Sequence, residues 1–162
     1  MCQRMEETSD YERQKAIAQD IYAGTKPVLF PALGERVSFT AEGFNHILFK
    51  GSRSERERPS QVMRFKLLPR AIRLIEHANT FQEFEETSRE YEVKVRKKRR
   101  LKTKLVRYWG IVAIFEKRKI KVILRKIGNG QLHFWSIVPA WTTNKHRDVV
   151  FVSTMKGDPE TD

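Results

Sequence analysis

The chain has 162 residues, of which 40% are hydrophobic and 32% are charged, with 32 Lys and Arg against 20 Asp and Glu. This composition is typical of a globular protein and excludes a collagen-like or low-complexity chain. No apolar run approaches the roughly 20 residues needed to cross a bilayer, the acidic start lacks the pattern of a signal peptide, and a single cysteine, Cys2, excludes an internal disulfide and a cysteine zinc cluster. We therefore expect a soluble, cytoplasmic protein, folded as one domain over residues 1–162, with no structural metal and no cofactor.

The charge is unevenly distributed along the chain. Residues 1–88 contain as many acidic as basic side chains, so residues 89–162 carry the entire formal net charge of +12. Such a surface attracts polyanions, because each neutralised phosphate releases a counterion. RNA is therefore the expected partner, with DNA as the alternative, and no membrane partner is expected. An acidic protein partner and a merely solvated basic face are the competing interpretations.

The first part of the chain has helical patterning. Residues 9–22 begin with capping-box spacing and continue with a short apolar stripe, so they predict a first helix that ends before Pro27. The extended pieces 28–31 and 37–39 are interrupted by Pro and Gly and have no clear strand pattern. We therefore describe residues 1–36 as a helix followed by an extended segment.

Residues 37–88 predict further helices. Thr40 is placed to cap a helix in which Phe44 and Ile47 share one face, while His46 and Lys50 share another at i, i+4 spacing. Ser60 opens a third helical stretch. Pro69 breaks that stretch or restarts it, because proline is tolerated mainly in the first turn of a helix.

From residue 89 onward the pattern changes to a period of two, which predicts strands. The predicted strands cover residues 91–95, 105–115, 120–124, 132–138 and a last edge strand at 148–154. Short turns connect them, among them a Gly-Asn-Gly turn at residues 128–130 that favours positive φ. The prediction is therefore an α+β fold, with N-terminal helices packed on a C-terminal antiparallel meander sheet of four to five strands over residues 89–154, and a frayed tail at residues 155–162.

The segment Lys94–Arg107 is rich in basic residues, contains no acidic residue and spans the first predicted hairpin. A basic hairpin beside an open sheet face is suited to following a phosphate backbone. A nuclear-localisation signal is the alternative interpretation of the same run. The predicted nucleic-acid contacts in this region are Lys97, Lys98, Arg99, Arg100, Lys102, Lys104 and Arg107.

Several short motifs resemble those of a known nuclease group. Residues 120–126 (IKVILRK), the Gly-Asn-Gly turn and residues 133–139 (HFWSIVP) resemble the C-terminal strands of the BECR-fold nucleases, which include barnase, EndoU, colicin and RelE-like ribonucleases. The nearest similarity is to the phage-associated branch, whose helix with a His-Ile pair and a following basic residue resembles residues 39–50. The next helical element resembles residues 67–75. The resemblance covers residues 37–142 and includes no complete two-histidine EndoU site.

The resemblance implies a small, toxin-like or phage-derived endoribonuclease that needs no metal. It implies cleavage by attack of the ribose 2′-oxygen on the adjacent phosphate. Such a reaction needs an acid or base, for which His46 is suited near neutral pH, and cations for the phosphate, for which Lys50 and Arg125 are candidates. The family also favours Ser136 as a phosphate contact. The alternatives for single residues are a structural His46 bonded to a carbonyl and an Arg125 engaged in a salt bridge. The alternatives for the whole protein are a non-catalytic RNA- or DNA-binding module and a toxin-like protein whose basic surface binds an acidic antitoxin or immunity protein.

The strand at residues 132–138 leaves one question open. Strict alternation places His133 and Trp135 on one face and Phe134 and Ser136 on the other. If His133 and Trp135 are on the open face, Trp135 is able to stack on a base and Ser136 is buried under the helices. The opposite assignment places Ser136 in the site, and the sequence alone does not decide between the two.

Overall fold

The computed structural model describes residues 2–51, 54–115, 118–142, 153–154 and 158–162. Within these ranges the helices are α1 (Cys2–Gly24), α2 (Ala41–Leu48) and α3 (Arg58–His77). Two short antiparallel hairpins lie between them, formed by β1 (Val28–Phe30) with β2 (Glu35–Val37) and by β3 (Phe49–Lys50) with β4 (Ser54–Glu55). The extended pieces that lacked a clear strand pattern in the sequence thus contribute to the first hairpin.

The main sheet follows the helices. Its strands are β5 (Glu83–Val95), β6 (Lys98–Phe115), β7 (Arg118–Ile127), β8 (His133–Thr142) and β9 (Ser153–Thr154), in the order β8-β7-β6-β5-β9. The first four form an antiparallel meander, and β9 pairs with β5 in parallel. The predicted α+β fold is confirmed. Residues 148–152 of the predicted edge strand lie outside the described residues.

The helices cover one face of the sheet, where the largest group of buried apolar side chains lies. From the sheet this core includes Trp109, Ile111, Val122, Leu124, Phe134 and Ile137, and from α3 it includes Phe65, Leu68 and Ile75. Each fully buried side chain of this size contributes roughly 1.5–3 kcal/mol relative to an exposed one. Trp109 is a packing residue of this core.

Two helices differ from their predicted extents. α1 begins at Cys2 rather than at residue 9, and α3 runs without a break through Pro69. Pro69 is exposed, while Leu68 and Ala71 beside it are buried. The apolar contacts of α3 with the core therefore offset the hydrogen bond that proline removes, and the predicted break is wrong.

α2 is shorter than the predicted helix, and this changes the position of Lys50. The helix ends at Leu48, Phe49 is extended, and Phe49 and Lys50 pair with β4 beyond a turn at Gly51, whose φ is +69°. His46 and Lys50 are therefore not on one helical face, and the predicted i, i+4 pairing is wrong. The returning hairpin instead brings Arg56 to α2, where its main-chain N–H donates to the carbonyl of Leu48 at 2.8 Å.

A β-bulge in β8 resolves the question of which side chains face the open side of the sheet. Leu124 pairs with Phe134 and Ile123 pairs with Ser136, so Trp135 is an extra residue between two consecutive pairs. The bulge breaks the alternation, and both Trp135 and Ser136 lie on the face opposite the helices. Both predicted alternatives were therefore wrong, because each placed Trp135 and Ser136 on opposite faces of the sheet.

The β5–β6 hairpin extends beyond the rest of the sheet. The pairing of β7 with β6 ends at Val106, and the N–H of Gly128 donates to the carbonyl of Leu105 just beyond it, so residues 89–95 and 98–104 pair only with each other in the described part of the chain. This two-stranded segment, called the ribbon below, is roughly 23 Å long at about 3.3 Å per residue. Its turn residues Arg96 and Lys97 have φ of 51° and 66°.

Candidate active site

Arg125 lies at the centre of a polar cluster on the open face of the sheet. Its Nε donates to Nε2 of His133 at 2.9 Å, and its terminal nitrogens pair with Glu42 at 2.9 Å and Glu160 at 3.3 Å. Since an arginine nitrogen only donates, Nε2 of His133 is the acceptor, and Nδ1 of His133 donates to the carbonyl of Gln131 at 3.0 Å. His133 is thus a neutral, buried ring that orients the guanidinium, and burial lowers its pKa.

His46 reaches the same cluster from α2. Its Nε2 is 2.8 Å from the main-chain carbonyl oxygen of Asp162, which accepts only, so Nε2 carries the proton. Burial lowers the pKa of His46 to about 4; the carbonyl of Asp162 and the charge of Glu160 oppose this shift, and Arg56 and Arg125 add to it. The ring is therefore neutral at neutral pH.

Gly43 allows α2 to lie close enough to β8 for this contact. A Cβ at position 43 would be 2.5 Å from the carbonyl oxygen of Phe134 and 2.5 Å from the hydroxyl oxygen of Tyr22. Real side chains do not tolerate either distance. The absence of a side chain at Gly43 thus sets the distance between the helix that carries His46 and the strand that carries Trp135.

Trp135 supports both His46 and Arg125. The His46 and Trp135 rings are stacked with their centroids 4.2 Å apart, and the guanidinium carbon of Arg125 lies 3.4 Å from the Trp135 centroid. Such a cation–π contact contributes about 2 kcal/mol or more when it is desolvated. Trp135 is only 7% exposed, so in this arrangement it organises the site rather than offering a free surface for a base.

Residues 158–162 occupy the open side of this cluster, and the predicted frayed tail is wrong for them. Nε1 of Trp135 donates to the carbonyl of Pro159 at 2.7 Å, and the hydroxyl of Ser136 donates to the carbonyl of Asp162 at 2.5 Å. The Glu160 carboxylate accepts a hydrogen bond from the hydroxyl of Tyr108. Beside this segment a cleft of about 530 Å³ is lined by His46, Trp135 and Glu160, among others.

Two further arginines, which sequence reasoning missed, lie near Asp162. A terminal nitrogen of Arg56 donates to the carbonyls of Thr161 and Asp162 at 3.1 and 3.0 Å. Burial lowers the pKa of Arg64 to about 10; the charge of Arg56 adds to this shift and that of Asp162 opposes it. The buried Gln61 donates to the carbonyl of Arg56 at 2.6 Å and so fixes the loop. The periodicity gave no signal for Arg56, because it lies in an irregular charged loop.

Of the predicted catalytic residues, the structure brings His46, Arg125 and Ser136 together, while Lys50 lies at the margin. Burial raises the pKa of Asp162, and the charges of Lys121, Arg56 and Lys50 oppose that shift. Lys50 is thus close enough to act electrostatically on this end of the cluster. It belongs to β3, is exposed, and has no shared helical face with His46.

The structure divides the predicted nucleic-acid contacts of the ribbon between two faces. Directly opposite residues of an antiparallel pair share a face, and alternate residues along each strand repeat it. The face continuous with Tyr108 and the site carries the cations Arg89, Lys98, Arg100, Lys102 and Lys104 and no acidic residue. The other face carries Lys94 and Arg99 together with Glu90 and Glu92, and Arg107 on that side pairs with Glu86 at 3.1 Å. Lys97 lies in the turn.

No protein-family model, curated protein or solved structure matches this chain. None of the helices in the described ranges combines the length and the apolar character that crossing a bilayer requires. Over those residues, no three His, Cys, Asp or Glu side chains are grouped closely enough to hold a metal ion. The function of the protein is therefore inferred from the geometry of the cluster around Arg125.

Proposed function

We propose that the protein is a cytoplasmic endoribonuclease that cleaves RNA without a metal ion, and that the cluster around Arg125 is its active site. The observation that carries the proposal is the convergence of a neutral histidine, a buried arginine and a serine hydroxyl on residues 158–162, beside a cleft that His46 lines. A carboxylate, that of Glu160, already lies 3.3 Å from Arg125 in that cleft. An anion thus occupies the position where a phosphate would bind.

The reaction follows from the chemistry of these groups. Attack of the ribose 2′-oxygen forms a bond to phosphorus and breaks the bond to the 5′-oxygen, which leaves a 2′,3′-cyclic phosphate and a 5′-hydroxyl. His46 accepts the proton of the 2′-hydroxyl, the leaving 5′-oxygen takes its proton from water, and the hydroxide so formed removes the proton from His46. Arg125 binds the phosphate oxygens with its planar fork, and Ser136 donates a hydrogen bond to them.

His133 and Trp135 support these roles. His133 accepts a hydrogen bond from Arg125 at 2.9 Å and thereby fixes the direction of the guanidinium. Trp135 contacts both the His46 ring and the Arg125 guanidinium. Preorganisation of this kind is what makes charged groups effective in catalysis, because no reorganisation is needed when charge develops on phosphorus.

The ribbon supplies a path for the rest of the substrate. Its site face continues the active-site face of the sheet and presents Lys98, Arg100 and Lys102, which are exposed, without an intervening carboxylate. Cations at this spacing neutralise successive phosphates irrespective of base sequence. We assign the RNA backbone to this face of the ribbon.

The test is cleavage of a mixed-sequence RNA in excess chelator by the wild-type protein, His46→Gln, Arg125→Lys and His77→Gln. His46→Gln retains a donor toward Asp162 but is not basic, so cleavage should fall about 10²- to 10⁴-fold. Arg125→Lys keeps the charge but loses the fork, and should also reduce cleavage. His77, exposed on the last turn of α3, is the matched control and should have no effect. Cleavage that survives His46→Gln unchanged would refute the assignment.

A second candidate function is a non-catalytic RNA- or DNA-binding module. It is favoured by the hydrogen bond from His46 to a main-chain carbonyl, which is the arrangement of a structural histidine. Under this function the protein binds RNA in a salt-dependent way and no variant cleaves it. The appearance of cyclic-phosphate products in the assay above would exclude it.

A further inference from the structure

The segment Asp158–Asp162 occupies the site with chemistry similar to that of an RNA backbone. It presents the carboxylate of Glu160 toward Arg125 and Arg89, with distances of 3.3 and 4.0 Å. Asp158 adds a second carboxylate, 3.9 Å from a terminal nitrogen of Arg89. An acidic peptide and a phosphodiester backbone thus compete for the same guanidinium groups.

The main chain of this segment also uses the donors that the proposed reaction needs. The carbonyl of Asp162 accepts hydrogen bonds from Ser136 at 2.5 Å and from His46 at 2.8 Å. While Nε2 of His46 donates to this carbonyl, that nitrogen cannot accept a proton from a ribose hydroxyl. Bound RNA and the docked segment are therefore mutually exclusive at His46, Ser136 and Arg125.

We propose that residues 158–162 are a cis-acting competitive inhibitor, which docks in the active site in place of the RNA backbone and must leave before a substrate phosphate binds. The inference rests on the proposed function, because it takes the same cluster as the phosphate site. Residues 158–162 form a turn of their own, in which the N–H of Asp162 donates to the carbonyl of Asp158 at 2.9 Å. The docked segment is thus held together by its own main-chain hydrogen bond.

The experiment measures binding of a fluorescent, 2′-O-methylated RNA, which has no free 2′-hydroxyl to attack its phosphates. The variants are Glu160→Gln and a deletion of residues 158–162. Glu160→Gln removes a charged partner of Arg125, so displacement becomes easier and the RNA should bind about tenfold more tightly. The deletion should increase the affinity further. Glu76→Gln removes the same charge from an exposed position on α3 and is the matched control.

Equal affinities for Glu160→Gln and Glu76→Gln would overturn the proposal, since a general charge effect would then account for any gain. Weaker binding by Glu160→Gln would also overturn it. If the deletion does not fold, Glu160→Gln still decides the question. Cleavage assays on the same variants separate this inference from the proposed function. Tighter binding without any cleavage supports competition between the segment and RNA and refutes the ribonuclease, whereas cleavage with unchanged binding supports the ribonuclease and refutes the competition.

Discussion

Acidification should destabilise the protein through His46. Burial holds the pKa of this ring at about 4, whereas the ordinary value is 6.5, so between these two pH values the unfolded chain binds a proton that the folded chain does not. The contribution of the neutral His46 to the free energy of unfolding is therefore fully present above pH 6.5. It decreases as the pH drops through this window, and His46 causes no further loss below about pH 4. His133, whose pKa is also lowered by burial, acts in the same direction.

The magnitude follows from the two pKa values. Their difference corresponds to about 3 kcal/mol for His46 between pH 6.5 and about 4, because one pH unit is equivalent to 1.36 kcal/mol of differential interaction. This is a substantial fraction of the roughly 5–15 kcal/mol that stabilises a typical domain. His46 is only 4% exposed, so solvent does not screen the effect.

The assay is urea denaturation of the wild-type protein and His46→Gln over this pH range. His46→Gln lacks the stacked ring and should be less stable at neutral pH, but it does not titrate, so the gap between the two proteins should narrow by up to about 3 kcal/mol on acidification. His133 and the carboxylates titrate in both proteins and cancel in the comparison. His77→Gln should follow the wild-type curve. Two curves that remain parallel between pH 6.5 and 4 would refute the buried, neutral state of His46.

Two further predictions concern the helix that carries His46 and the ribbon. Gly43→Ala should lower the free energy of unfolding by about 1–3 kcal/mol, because its Cβ overlaps the carbonyl oxygen of Phe134. Gly24→Ala is the control and should be neutral or slightly stabilising, because no atom lies within 4 Å of the added Cβ. Urea denaturation measures both variants. Lys102→Glu should weaken RNA binding and reduce its salt dependence more than Lys94→Glu, which makes the same change on the opposite face. Equal losses in a titration at several salt concentrations would contradict the assignment of the RNA to the site face.

The order of helices and strands could be predicted from the sequence because hydrophobic periodicity depends on which face is buried. The meander strands were evident since apolar residues such as Ile111, Val122 and Leu124 recur along them and face the helices. Pro69 misled the prediction because a local rule was applied to a helix stabilised by tertiary contacts. The C-terminal end of α2 was also predicted wrongly, because the apolar pattern continues through Phe49 although the backbone becomes extended there.

The candidate site was less predictable for physical reasons. The bulge at Trp135 shifts the register by one residue, and no periodicity can show a single insertion in a strand. The docking of residues 158–162 depends on contacts with residues far away in sequence, such as Arg56 and Trp135. From composition alone, this acidic segment was predicted to be part of a frayed tail. His46, Arg125 and Ser136 were identified individually, but their proximity follows from tertiary structure.

The ribbon leaves a row of main-chain amides and carbonyls of β6 without a strand neighbour in the described residues, from Lys98 to Lys104. Unprotected edges of this kind invite pairing with another chain, and the lysines and arginines along this edge oppose it by mutual repulsion between copies. The same side chains therefore serve to keep the molecules apart. A polyanion or concentrated salt screens those charges, and the ribbon edges then lose this protection. We therefore expect copies to associate edge to edge in concentrated samples under such conditions.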